Sequence, residues 1–241
     1  MTDHFVRSRW CQILLATAGL AVVGTSLGVD VTLSPAEIRQ AVQVGKAMVS
    51  PSNGYIAKPY VLHEYNSGIR IDPNSPIVDA LTVGTPYERV RYYSYLEAYQ
   101  GKPVKQVGVA KVLRQNHDRL TILAFTHSPV SVQAELEAWQ QTYVTHGSEG
   151  KVQRTYLDDF KPATLTVNGK TLTSRITIEG PYQDAFTVQG KPDFRYLGVI
   201  HFDFDLSPLV RDGRVMGTGE LRFKDPTGRS YAQRIDLARY R

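Results

Sequence analysis

Apolar positions along this chain follow three rhythms. Residues 13–23 form a nearly unbroken apolar run. Over residues 35–49 and 86–99 they recur at helical spacing, and beyond residue 152 they gather into short β-branched stretches punctuated by Gly, Pro and Asn. A period near 3.6 marks a helix with one buried face, and alternation in short runs marks a strand.

The first helical stretch has a start signal with a mechanism. Ser34 suits the cap, Pro35 the first helical position, and Glu37 can close a capping box. Ile38, Ala41, Val42 and Val49 then fall near one stripe, Gly45 weakens the helix, and the Pro/Ser/Asn/Gly cluster at 50–54 ends it. Thr85-Pro86-Tyr87-Glu88 repeats the device, opening a second helix that stops near Gly101. Residues 55–65 read as one short strand and 72–76 as a loop. Residues 107–114 and 120–126 are apolar and β-branched around a polar 115–118, the pattern of a hairpin. Residues 130–143 fit both periods, and their composition favours helix.

Asn168-Gly169 between 163–167 and 170–178 is a type I′ hairpin signal. Strands follow at 194–206, 215–224 and 230–237, the last two joined by Asp225-Pro226-Thr227-Gly228. The pattern predicts an α+β fold: a helical N-terminal half, packed with a C-terminal antiparallel β-sandwich-like module. Its divisions are a leader over 1–28, an α+β region with two or three helices and a hairpin over 29–150, and an antiparallel β module over 151–241. The boundary near 146–151 competes with one continuous domain.

Composition narrows the class. At 241 residues, 42% hydrophobic and 21% charged, the chain buries a core without staples and is not disordered. Arg7 and Arg9, the apolar run and the small residues Gly24, Ser26 and Gly28 read as a secretory signal peptide. Uncleaved, the segment from Trp10 to Val29 is long enough for a membrane anchor; a buried cytoplasmic helix is the third option. The expectation is export, whether periplasmic, extracellular or membrane-anchored, with membrane contact only through that segment. The single Cys, Cys11, lies inside it, so removal would leave no thiol. The charge of +5 is scattered along the chain, which gives no nucleic-acid footprint.

Candidate chemistry is sparse. In a strand, His201, Asp203 and Asp205 share one face, a set of donors for a divalent cation; the plainer account sends Phe202 and Phe204 inward and leaves three polar residues facing water. Asp72, Asn74 and Asp79 offer oxygen ligands for calcium, although turn chemistry explains them as well. Tyr92, Tyr95 and Tyr99, at i, i+3 and i+7 with Arg91 beside them, form a stripe that packs on a sheet or binds a sugar or peptide. No nucleophile elbow, Walker loop or zinc-helix motif occurs in the sequence. The expectation is therefore a non-enzymatic binding or envelope-associated protein that contacts a protein or glycan and requires no cofactor. The alternative is an exported hydrolase using His127, His201, Asp203 and Asp205.

Overall fold

The structure, a computed structural model, describes residues 28–50, 54–66, 70–71, 75–146 and 154–241. The leader expected over residues 1–28 lies outside them except for Gly28. Among the described residues the fold is α+β, with four α-helices and twelve strands in three sheets.

The capped start at Ser34 forms as its residues dictate. In α1 (Pro35–Ala47) the Ser34 hydroxyl accepts from the Glu37 backbone N–H at 3.3 Å, and Glu37 returns the bond to the Ser34 N–H at 2.8 Å. The helix α2 (Pro86–Tyr99) is capped by Thr85 but uses its acid differently, since Glu88 turns inward. Gly45 lets α1 lie against α2. A Cβ at this position would stand 2.2 Å from the Arg91 carbonyl oxygen and 2.9 Å from Ser94 Cβ, so no other residue permits that approach.

Three short strands come first: β1 (Val29–Asp30), which pairs with β10 (Arg214–Val215), β2 (Val61–Glu64) and β3 (Arg70–Ile71). The strand β4 (Val78–Gly84) comes from the apolar run before Thr85, which the sequence reading passed over. The expected hairpin at 107–126 is corrected by the structure: Gln106–Gln115 is a helix, α3, and only β5 (Arg119–His127) is a strand. Val109, Val112 and Leu113 have helical spacing and turn together onto the core, which outweighs their β-branching. With α4 (Val132–His146) this makes four helices where two or three were expected.

The Asn168-Gly169 turn joins β6 (Thr164–Val167) to β7 (Lys170–Thr173), with both turn residues at positive φ. After Ser174 the chain changes sheets into a long hairpin, β8 (Arg175–Val188) and β9 (Lys191–Asp205). It returns through β11 (Thr218–Lys224) and β12 (Ser230–Asp236). The six-stranded sheet has the order β2-β4-β5-β9-β8-β3, antiparallel except for β3 with β8, and the four-stranded sheet has the order β12-β11-β6-β7. Strands from both sides of residues 146–151 therefore share the larger sheet.

In β5 and β9, Leu120, Ile122, Ala124, Ile200, Phe202 and Phe204 are fully buried, while the alternate residues form the opposite face. The buried face meets the smaller sheet, with Phe202 5.1 Å from Phe223. No helix of the described residues is long and apolar enough to cross a membrane.

Replacing Gly45 with Ala should lower stability by about 1–3 kcal/mol, because the clash outweighs the gain of up to about 1 kcal/mol in helix propensity. Urea unfolding checks this; an unchanged or raised midpoint would mean that α1 and α2 can separate at no cost.

Candidate functional site

The tyrosine stripe is packed from outside by another tyrosine. Tyr55 stands edge-on to Tyr92 at 4.9 Å and tilted against Tyr95 at 5.1 Å, while Tyr95 stacks on Tyr99 at 5.8 Å. Tyr95 is buried, and Tyr99 is the exposed end of the row. Arg91 is also buried, placed one helical turn after Glu88. Its Nε donates to Glu88 Oε2 at 2.6 Å, and its Nη2 donates to the Ile56 carbonyl at 3.1 Å. The Tyr55 hydroxyl donates to the other Glu88 oxygen, and the guanidinium lies 4.7 Å from the Tyr60 ring centroid. Burial pushes the Glu88 carboxyl up, against the pull of Arg91 and Tyr55. These groups hold α2 to the 55–60 segment.

The polar residues of β9 do not converge. His201 Nε2 lies 3.3 Å from Glu179 Oε2, Asp203 accepts from the Thr121 hydroxyl at 2.6 Å, and Asp205 accepts from the Ser207 N–H at 2.9 Å. Same-face residues on a strand are about 7 Å apart, too far for three short side chains to close on one ion. Among the described residues no group of three or more His, Cys, Asp or Glu can hold a metal ion. The arrangement lends no support to the expected His201, Asp203 and Asp205 cation site. The His201 hydrogen bond, helped by Tyr182 and Arg89, keeps the Glu179 carboxyl below its ordinary range. Of the calcium candidates, Asp72 and Asn74 lie outside the described residues. Asp79 is engaged elsewhere, accepting from Asn66 at 2.8 Å and pairing with His127 Nδ1 at 2.8 Å.

His127 and His201 share a sheet face but not a site. Their cross-strand partners are Leu197 and Leu123, which sets them about 13 Å apart along the strands. His127 is 1% exposed, covered by Phe186 with ring centroids 6.0 Å apart.

A concave feature among the described residues comes from side chains the sequence reading did not single out. As β5 ends, Ser128 N–H donates to the Tyr196 carbonyl at 2.8 Å, and buried Arg195 holds the Ser128 carbonyl at 3.0 Å. Ser131 then caps α4 through the Ala134 N–H at 3.1 Å. Opposite, a capping box at Thr155 and Asp158 shapes a short 3-10 turn, Tyr156–Asp159. That turn seats Leu157 over Gly198, where a Cβ would stand 2.5 Å from the Leu157 methyls, and it anchors the Tyr156 hydroxyl on Thr126 at 2.9 Å.

Between α4 and this turn lies an open cleft of about 390 Å³, walled by Trp139, Tyr156, Pro129 and Val130 and edged by Glu135, Arg154 and Asp159. Arg154 is paired with Asp159 at 2.8 Å. Burial pushes the Glu135 carboxyl up, against Ser128, the Tyr156 N–H and Arg195. Its Oε1 is shielded from water and meets no donor among the described residues. The signal in the sequence was Trp139, one of two tryptophans, on the same helical stripe as Val132 and Leu136.

No protein-family model, curated protein or solved structure matches the chain.

Two stability predictions follow from the buried acids. Arg91→Met should cost about 3–5 kcal/mol by leaving Glu88 buried and unpaired, and adding Glu88→Gln should recover much of the loss; denaturant midpoints of the single and double variants decide this. Glu135 has a raised folded value, so its contribution is full below the ordinary glutamate range and fades as pH rises through that raised value. Glu135→Gln should therefore raise the unfolding midpoint at pH 8 and leave it unchanged at pH 3.5. A pH-independent difference would overturn that assignment.

Proposed function

We propose that this protein is an exported, non-enzymatic binding module that holds a glycan in the cleft between α4 and the Tyr156–Asp159 turn. The carrying observation is the composition of the cleft: the aromatic rings of Trp139 and Tyr156 beside Glu135, Arg154, Asp159 and the Thr142 and Thr155 hydroxyls. A pyranose has an apolar C–H face that rests on an aromatic ring and a rim of hydroxyls that need charged or planar partners. A volume of about 390 Å³ suits one or two sugar rings.

The acid–base groups that would serve a hydrolase do not share one site: His127 is buried beside Asp79, and His201, paired with Glu179, lies about 13 Å away along the sheet. This favours recognition over catalysis. Export is supported by the basic start, apolar run and small residues of positions 7–28. Mass analysis of the protein recovered from the producing cell tests it, with a mature N-terminus near residues 25–29 expected.

Binding is tested by Trp139 fluorescence in a Trp10→Phe background, titrated with soluble tetrasaccharides. Saturable quenching or a blue shift is expected with at least one of them, and Trp139→Ala should abolish binding measured by calorimetry. Failure of glucosamine-, N-acetylglucosamine- and glucose-based tetramers alike would overturn the glycan reading.

A further inference from the structure

The outer edge of β8 is open along Arg175–Glu179. One side of the strand pairs with β9, but on the other side β3 reaches only Thr187 and Val188. Among the described residues no other strand joins this edge. The open stretch is bounded at both ends. Ser174 N–H donates to the Ala163 carbonyl at 2.9 Å, where the chain leaves the smaller sheet. Beyond Glu179 the register with β9 shifts, and Pro181 brings no N–H to the edge.

The order of residues on this edge is self-complementary. When a second copy of Arg175-Ile176-Thr177-Ile178-Glu179 runs antiparallel about Thr177, Arg175 stands opposite Glu179 and Ile176 opposite Ile178. Directly opposed side chains are the pairs that stabilise a sheet. Alternation puts the charges on one face and the isoleucines on the other. Glu179 holds a half-exposed carboxylate there, accepting from the Tyr182 hydroxyl at 3.2 Å and lying 3.3 Å from His201 Nε2. On the other face Ile178 is 38% exposed, although its ladder partner Ile200 is fully buried.

Other alignments fail by the same chemistry. A parallel neighbour in register sets Arg175 on Arg175 and Glu179 on Glu179, and a slip of two residues sets a charge against Thr177. An open apolar edge invites indiscriminate pairing, and the flanking charges restrict it to one arrangement.

We infer that two copies of this chain join through β8, edge to edge and antiparallel about Thr177, into one continuous sheet. The shared edge is short, below about 1,200 Å² in total, so the dimer belongs to the weak, concentration-dependent class.

Sedimentation velocity across the micromolar range, on the protein recovered from the producing cell, should show a monomer–dimer equilibrium. Arg175→Glu and Glu179→Arg each set like charges opposite one another and should weaken self-association at least about tenfold. An equimolar mixture of the two variants should pair, and one chain carrying both changes should regain self-association. Thermal melts by circular dichroism report whether each variant is folded. A second readout needs no charge change. Thr177→Cys in a Cys11→Ser background puts two thiols across the axis, within the Cα separation that a disulfide requires. It should cross-link under mild oxidation, whereas Gln183→Cys, well away from the axis, should not. A monomer at every concentration would overturn the inference. So would a dimer indifferent to the charge changes, or cross-linking that is equal at positions 177 and 183.

Discussion

The pairing of β5 with β9 is the constraint on which the rest of the molecule depends. Nine residues of each strand are in continuous register, from Arg119 opposite Asp205 to His127 opposite Leu197. The register puts Leu120, Ile122, Ala124, Ile200, Phe202 and Phe204 on one face, where the smaller sheet completes their burial. A slip of one residue would turn those side chains outward and bring Thr121, His201 and Asp203 into the core, so the hydrophobic term alone selects the observed pairing. Both walls of the cleft inherit their positions from it. Ser128 leaves β5 tied to Tyr196, and Tyr156 rests on Thr126 with Leu157 over Gly198.

Much of this was legible where a local rule decides the outcome. The caps at Ser34 and Thr85, the Asn168-Gly169 turn and the Asp225–Gly228 turn act through backbone geometry and nearest neighbours, and each forms as expected. Residues 106–115 were misread because β-branching and helical spacing point opposite ways there, and packing of Val109, Val112 and Leu113 settled the contest. The long β8–β9 hairpin was legible only in part. Its turn at Gln189-Gly190 has the same positive-φ geometry as Asn168-Gly169 without an Asn or Asp to announce it.

The candidate site was the least legible part, for a physical reason. Residues with evident chemistry, such as Arg91, His127 and His201, were used in holding the fold together, because buried charge must be partnered wherever it occurs. The Ser/Thr-Pro-x-Glu device is instructive here. Glu37 closes its own cap, while Glu88, at the equivalent position, becomes half of a buried ion pair. The cleft unites Trp139 on α4 with Tyr156 further along the chain, residues related by a three-dimensional approach that no sequence spacing encodes.

Two glycines described above have different consequences for descent. Gly45 faces the Arg91 carbonyl, a backbone atom present whatever residue occupies position 91, so no second change can make room for a side chain there. Gly198 faces the methyl ends of Leu157, which a smaller residue at 157 would withdraw. Among descendants of this chain, position 45 should stay fixed while positions 157 and 198 drift as a pair. The wall of the cleft is then free to be reshaped over time, whereas the spacing of α1 and α2 is not.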